Sequence, residues 1–401
     1  MIFILVGLAL YVVLAGADFG AGFWKLLAGR GEHGARIREH AHHSMAPVWE
    51  ANHVWLIFVI TVMWTAYPRA FGSIASTLAV PLFIAGIGIV LRGAAYALRP
   101  GSSSPAQVRA LDMLFSLSSI LTPFALGAAI GAIAARRVPV GNAAGNLITS
   151  WSGPVSLLIG ALAVSSAAYL AAVYLAADAA RLGERALEGQ FRRRALVAGL
   201  LAGAIAIAGI FVLAADAHPL YRQLVDGPGL VGLIVSVLAG LSALALVCSS
   251  RFAAARFAAA LAVAAIIAGW ALAQQPLLFP GLTIEQAAAP HDTLVAVTIA
   301  VLAGGAILFP SLTLLFRLLL LGRFDHGPEA SALPPLGAGV LSSSATGLLG
   351  RLSVSSLLGG LGFLTIANAG WAHALGVVCL FSFTICGFLA LELDATKSFT
   401  G

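Results

Sequence analysis

The chain contains nine apolar blocks, each about as long as a helix that crosses a lipid bilayer. The hydrocarbon core of a membrane is about 30 Å thick, and a helix needs about 20 apolar residues to span it. The blocks lie near residues 1–27, 48–67, 74–98, 110–135, 151–178, 195–215, 229–249, 254–273 and 291–321. The pattern predicts an all-α polytopic membrane protein.

The composition supports this fold class. Of the 401 residues, 60% are hydrophobic and 9% are charged, and the mean hydropathy is +0.99, whereas a soluble domain carries about 25% charged residues. These values exclude a soluble protein, a nucleic-acid binder and a disordered chain. Cys248, Cys379 and Cys386 lie in or at the edge of apolar blocks, so they indicate neither a disulfide framework nor a C-x-x-C metal site.

The distribution of Lys and Arg predicts the orientation in the membrane. Alternate loops are basic, around residues 25–38, 99–109, 181–194, 251–256 and 317–323, and Arg136 and Arg137 are the exception. The positive-inside rule places the basic loops in the cytoplasm and the N-terminus outside. The first block has no basic n-region and no clear cleavage site, so we expect it to be a retained helix. The expected location is a bacterial inner membrane.

Residues 325–351 are rich in Pro, Gly and Ser, which is typical of a linker. The apolar stretch that follows, residues 354–393, is interrupted at residues 368–373. Two short spans are favoured, and one long helix with a surface segment is the alternative. The predicted division is a membrane domain at 1–323, a cytoplasmic linker at 324–353 and a C-terminal transmembrane extension at 354–401.

Two pairs of glycines, Gly16 with Gly20 and Gly127 with Gly131, have small-xxx-small spacing. In lipid this spacing lets helix backbones approach closely. The pairs predict a tight bundle and no particular function.

An ionisable residue inside a span costs about 2.5 to 3.5 kcal/mol on insertion scales, and four such residues are informative here. Asp18 is in the first span, Glu50 and His53 are near the start of the second, and Arg92 is near the end of the third. The i, i+3 spacing places Glu50 and His53 on one face. All four are expected at similar depth on the cytoplasmic side, and helices joined by short loops are usually neighbours.

Two acids, a histidine and a guanidinium at one level form a candidate path that carries protons inward from the cytoplasm. The structural alternative is that Asp18 and Arg92 form a buried ion pair that only fixes helix register. A metal or haem ligand role for His53 is disfavoured, because no second intramembrane histidine lies at a matching level. His40, His42 and His43 fall in a basic loop and are expected to be solvated or at the lipid surface.

Three segments carry a family resemblance: Gly16-Ala-Asp-Phe-Gly-Ala-Gly22, Ala46-Pro-Val-Trp-Glu-Ala-Asn-His-Val-Trp-Leu-Ile57 and Leu91-Arg-Gly-Ala-Ala-Tyr-Ala-Leu-Arg99. They resemble the signature of subunit II of the cytochrome bd-type quinol oxidases. The segment His291-Asp-Thr-Leu and the span that ends Phe309-Pro-Ser-Leu-Thr-Leu-Leu-Phe-Arg317 resemble the last helix of that family. The resemblance covers roughly residues 1–323.

The resemblance implies two four-helix bundles plus one peripheral helix, paired in a heterodimer with a homologous subunit I. In that family, haems b and d belong to subunit I, and subunit II acts as a scaffold, can bind a structural quinone and contributes a cytoplasmic proton path. No complete active site and no metal are then expected in this chain alone. Glu50 matches an acidic position of the family's Trp-Asp-Gly-Asn motif, and Arg92 matches the arginine of its third helix.

This chain departs from the family pattern at three places. Ala15 replaces one acid of an Asp-Gly-Phe-Asp motif, Ala97 stands where an acid is often found, and His53 stands where Gln or Glu is common. The path is then either routed through His53 or reduced to a structural cluster. The extension past Arg323 is a candidate substitute for a small single-helix accessory subunit. A secondary transporter is the alternative from another class, and the absence of paired broken helices in two halves weighs against it.

Overall fold

The structure is a computed structural model that describes residues 1–29, 31–45, 49–99, 104–320, 348–365, 371–372, 374–383 and 385–386. The helices are α1 (Ile2–Leu26), α2 (Gly31–Met45), α3 (Trp49–Ala66), α4 (Pro68–Thr77), α5 (Ala79–Leu98), α6 (Pro105–Ala134), α7 (Pro154–Arg181), α8 (Arg185–Asp216), α9 (His218–Val225), α10 (Gly229–Cys248), α11 (Phe252–Gln274), α12 (Ile284–Ala287) and α13 (His291–Leu320). Between α11 and α12, β1 (Leu277–Phe279) pairs antiparallel with β2 (Leu282–Thr283). The predicted all-α class is confirmed, with this small hairpin as the β-structure among the described residues.

Eight of the described helices are long and apolar enough to cross a membrane, and α3 adds a shorter apolar helix, Asn52–Ala66. The nine blocks predicted from hydropathy therefore correspond to α1, α3, α5, α6, α7, α8, α10, α11 and α13. Prolines at the first turns of α6 and α7 help to define where these helices begin, because the fixed backbone angle of proline suits that position.

The chain has two compact units, Met1–Ala303 and Gly304–Gly401, divided within α13. In the first unit, α1, α3, α5 and α6 form one four-helix bundle, and α7, α8, α10 and α11 form a second. The bundles meet where α1 and α6 pack against α7 and where α1 contacts α11. No residue of His291–Ser311 is buried, which agrees with a peripheral helix.

The ends of three helices are closed by the same backbone arrangement. After α7, the Glu184 nitrogen donates to the Ala179 oxygen and the Gly183 nitrogen to the Ala180 oxygen, with Gly183 at φ +73°. This is a Schellman motif, which satisfies carbonyls that the helix end leaves free. Arg136 after α6 and Ser250 after α10 take the same left-handed conformation with the equivalent bonds.

The exception to the alternation of basic loops has a local explanation. Arg137 follows the α6 motif, and its Nη2 donates to Asp216 Oδ1 at 2.7 Å, at the end of α8. Its charge is therefore compensated within the protein.

The predicted basic loop after α1 is in fact helical, and the expectation that His40 is solvated is wrong. Residues 31–45 form α2, which packs on α7. His40 is 6% exposed, its Nε2 lies 3.1 Å from the Leu175 oxygen and its ring lies 5.6 Å from that of Phe191. The segment was assigned to a loop because it is highly charged. Its apolar residues nevertheless lie on one side of a short amphipathic helix, and that side packs on the bundle.

The second unit contains two helices that pack on each other, Leu348–Thr365 and Ala374–Phe383. Ser353 Oγ donates to the Phe383 oxygen at 3.1 Å, and Gly360 lies beside Leu380 and the Gly376 oxygen. The early part of one helix thus meets the late part of the other, so they are antiparallel. Neither is among the eight described helices that are long and apolar enough to cross a membrane, so the favoured two short spans stay a prediction. The first helix begins at Leu348, inside the predicted linker 324–353, because Leu348, Leu349 and Leu352 continue its apolar pattern toward the N-terminus. Residues 324–347 lie outside the described residues.

Candidate functional site

The first bundle contains a buried ion pair between α5 and α1. Arg92 is 1% exposed and is the largest fully buried side chain among the described residues. Its Nη2 donates to Asp18 Oδ1 and to the Asp18 main-chain oxygen at 3.1 Å, and its Nη1 donates to Ser119 Oγ of α6. One guanidinium therefore links three helices, and Asp18 and Arg92 are brought together as the sequence predicts.

Small residues bring these helices close enough for the pair to form. A methyl group at Gly22 of α1 would overlap Ser119 of α6, and a methyl group at Gly88 of α5 would overlap Thr122 of α6. Because the backbones approach closely at both points, the polar side chains of α6 reach the middle of the bundle.

Aromatic rings surround the guanidinium. The Arg92 Cζ lies 4.9 Å from the centre of the Phe19 ring and 4.2 Å from that of Phe115. Cation–π contacts of this length stabilise a cation removed from water. The rings thereby partly replace the solvent that Arg92 loses.

His53 approaches the same cluster through Phe19. Its ring centre lies 5.9 Å from that of Phe19 and 6.0 Å from that of Tyr11. Phe19 thus contacts both Arg92 and His53. Glu50 belongs to the first turn of α3, but its side chain lies outside the described residues, so its predicted place in the cluster stays a prediction.

Several buried polar atoms of this bundle have no hydrogen-bond partner among the described residues. They are Asp18 Oδ2, Arg92 Nε, Tyr11 Oη and Thr122 Oγ1. A buried polar atom without a partner costs about 1–3 kcal/mol, and internal water commonly satisfies such atoms. These four atoms are therefore the hydrogen-bonding capacity that the described residues leave unused in this bundle.

A second ionic cluster, which the sequence analysis missed, joins the ends of α1, α5 and α6. Asp112 Oδ1 accepts from Lys25 Nζ at 3.3 Å and from Arg99 Nε at 2.9 Å. The Lys25 side chain is 2% exposed, although hydropathy places it at a loop boundary, whereas those of Asp112 and Arg99 are 19% and 31% exposed. The missed signal is Asp112 itself, an acid inside the predicted span 110–135.

Metal binding gains no support in the described part of the chain. No group of three or more His, Cys, Asp or Glu side chains that could hold a metal ion occurs there. The chemistry available in the first bundle is that of proton exchange and of ion pairing.

The fold and this site together define a class: a polytopic α-helical membrane protein of two four-helix bundles, the first of which encloses a charge-compensated cluster. The family model of cytochrome bd terminal oxidase subunit II matches residues 1–319. The chain belongs to that family. The predicted membrane domain, 1–323, ends four residues later than this match.

Curated relatives and a solved structure agree with this membership. The chain is 28% identical over 117 residues to cytochrome bd ubiquinol oxidase subunit 2 of Bacillus subtilis, covering 29% of this chain and 34% of that protein. It is 23% identical over 243 residues to a putative cytochrome bd menaquinol oxidase subunit II of the same organism, covering 58% of this chain and 67% of that protein. The first alignment thus spans about a third of its relative and the second about two thirds.

The solved bd oxidase from Geobacillus thermodenitrificans contains a chain of similar fold. The TM-score is 0.61 at 26% identity, covering 80% of this chain and 99% of that chain. The similarity spans nearly all of the known chain but only 80% of this one. This chain therefore contains residues that have no counterpart in the known chain.

Proposed function

We propose that this chain is the non-haem membrane subunit of a quinol:oxygen oxidoreductase, which scaffolds a haem-bearing subunit I and supplies it with protons from the cytoplasmic side. In this proposal, haems b and d lie in the partner subunit, and a quinone and membrane lipid are further ligands of the complex. The basic loops face the cytoplasm and the N-terminus faces outward, so the ion pair lies toward the cytoplasmic ends of α1 and α5.

The observation that carries the proton role is the arrangement around Asp18. One carboxylate oxygen, Oδ1, is bound to Arg92, while the other, Oδ2, is buried without a partner among the described residues. A carboxylate with one oxygen free of hydrogen bonds to the described residues can accept a proton from a neighbouring water at that oxygen. It can release the proton again because Arg92 stabilises its charged form. His53 and Glu50 are the remaining members of the proposed path.

The purely structural alternative rests on the same ion pair. A buried pair that links three helices fixes their register whether or not it exchanges protons, and two family acids are absent at Ala15 and Ala97. The transporter alternative gains no specific support, since the chain belongs to an oxidase family.

Charge-balanced substitutions separate the proton role from the structural one. We propose measuring oxygen consumption with a short-chain quinol, per haem, for the complex carrying Glu50→Gln and for the double variant Asp18→Asn with Arg92→Gln. The matched control is the double variant Asp216→Asn with Arg137→Gln, which removes an ion pair at the other end of the bundles. The proposal predicts at least a tenfold loss of turnover in both test variants, about 1.4 kcal/mol in the barrier, and none in the control. Wild-type turnover in both test variants would leave only the scaffold role.

A further inference from the structure

The Asp18–Arg92 pair and the Lys25–Asp112–Arg99 cluster are connected by one face of α6. Asp112, Phe115 and Ser119 follow each other at i, i+3 and i+7, a spacing that places them on the same side of a helix. Asp112 binds Lys25 and Arg99, and Ser119 accepts from Arg92. The Ser119 hydroxyl also donates to the Phe115 oxygen at 2.5 Å, so the inner end of this face is fixed to the helix.

The Phe115 ring lies against a cation from each cluster. Lys25 Nζ is 4.4 Å from its centre, and Arg92 Cζ is 4.2 Å from it. A ring in this position stabilises both cations. The two clusters are thus joined by their contacts with one aromatic ring.

Solvent exposure rises from the inner cluster to the outer one. The side chains of Asp18 and Arg92 are 2% and 1% exposed, whereas those of Asp112 and Arg99 are 19% and 31% exposed. The outer groups line a small surface recess together with Tyr96 and His42. Asp112 is therefore the carboxylate of the two clusters that a proton from the surface reaches first.

The bonding of Asp112 leaves part of the carboxylate available. Both cations bind Oδ1, and Oδ2 takes part in neither bond. The outer cluster has two cations and one anion, a formal charge of +1, so repulsion from the cations favours release of a proton from Asp112 as much as it opposes loading.

Resting on the proposed function, we infer that Asp112 is the outer proton-loading carboxylate of the path to Asp18, and that this path runs beside the Phe115 ring, which contacts one cation of each cluster. In this proposal, a proton bound at Asp112 Oδ2 passes to a water molecule, which donates a proton to Asp18 Oδ2, so that Asp112 is ionised again and Asp18 is protonated. Asp112 is a relay residue and touches no substrate of the partner subunit.

The test uses the whole complex in vesicles of phosphatidylethanolamine and phosphatidylglycerol, with oxygen consumption and proton uptake measured per haem. Asp112→Asn removes the titratable group, and the proposal predicts at least a fivefold loss of both rates. Millimolar formate, a small diffusible acid, should restore most of the loss, because Asp112 is partly exposed. Asp112→Glu should retain activity, and Asp178→Asn, which changes an acid of the second bundle with the same 19% side-chain exposure, is the control.

A second variant controls for the possibility that Asp112→Asn lowers activity through a folding defect. Asp112→Asn combined with Arg99→Gln keeps the formal charge of the outer cluster at +1, because one cation and one anion are removed together. Slow turnover that formate restores supports the proposal. Wild-type turnover, a loss that formate does not restore, or failure of both variants to assemble overturns it, since each outcome shows that Asp112 is dispensable or only structural.

The two proposals fail in different ways. If the Asp18 and Arg92 double variant is slow while Asp112→Asn is fast, the proton path exists but begins elsewhere. If both are fast, the proton role itself is wrong.

Discussion

Gly20 of α1 lies directly against the backbone of Ala167 of α7, so closely that a methyl group at Gly20 would overlap the Ala167 carbonyl oxygen. The other glycines of the two predicted small-xxx-small pairs also face α7: Gly16 approaches Leu170, Gly127 approaches Gly160 and Gly131 approaches Ser156. Both glycine pairs therefore have the same role: they let α1 and α6 of the first bundle pack closely against α7 of the second bundle. The joint between the bundles depends on the absence of side chains at these positions.

Gly20→Ala should destabilise the complex, because the added methyl forces α1 away from α7. Overpacking of this kind costs about 1–3 kcal/mol. Thermal unfolding of the purified complex, followed by size-exclusion chromatography, measures the effect. Gly86→Ala is the control, since Gly86 lies in a spanning helix with nothing within 4 Å of an added methyl; equal melting temperatures for the two variants would contradict the prediction.

Arg92→Gln should reduce assembly before it reduces turnover. The substitution leaves the Asp18 carboxylate buried without its counterion, and breaking a buried pair on one side costs about 3–5 kcal/mol. Complex yield in membranes is the measurement. Arg137→Gln breaks a pair whose side chains are 34% and 22% exposed, so its yield should stay much closer to wild type. Restoring charge balance with Asp18→Asn should recover the yield of the Arg92→Gln variant.

His53→Ala should leave every haem band of the complex in place. The His53 ring packs near the rings of Tyr11 and Phe19, and no group of three or more His, Cys, Asp or Glu side chains that could hold a metal ion occurs among the described residues. Reduced-minus-oxidised spectra measure the bands, with His218→Ala in the short helix α9 as the control. Selective loss of one b-type band would show that this subunit donates a haem ligand.

Gly359→Cys should form a disulfide with Cys379 on mild oxidation. A Cβ at position 359 would lie 3.8 Å from the Cys379 sulfur, a separation that a small shift brings into the range of a disulfide. Thiol counting by mass spectrometry detects the bond. Gly362→Cys, where an added Cβ has nothing within 4 Å, should stay reduced, and if both variants cross-link alike, the antiparallel pairing is wrong.

Deletion of residues 330–401 should leave the two bundles folded. The family match ends at residue 319 and the first compact unit ends at Ala303, so the cut removes no part of either. Membrane expression and chromatographic behaviour of the truncated chain are the measurements, and loss of all expression would show that the extension is needed by the core.

In the full chain, a topology tag at Gly401 should report the cytoplasm if both C-terminal helices span the membrane.

Hydropathy and single charged residues predicted the spanning helices of this protein and one buried ion pair. Eight of the nine apolar blocks became helices within about five residues of their predicted limits, because membrane helices are selected by length and local composition. The exception is α8, which begins at Arg185, ten residues before the predicted start at 195. Asp18 and Arg92 were found because an ion inside a span is too costly to be incidental. The interruption at residues 368–373 predicted two short spans, which stay a prediction, and the sequence analysis missed the early start of the first extension helix at Leu348.

The sequence by itself determined which segments are helices and which buried charges need a partner. Only the tertiary structure decided how those helices face each other: that Lys25 is buried against Asp112, that Phe115 contacts both Lys25 and Arg92, that His40 packs on α7 and that Arg137 pairs with Asp216. The physical reason is that lipid tails are as apolar as leucine, so hydrophobicity drives a helix into the membrane but does not fix its rotation or its neighbours. Those are set by close contacts between residues far apart in the chain, such as Gly20 with Ala167.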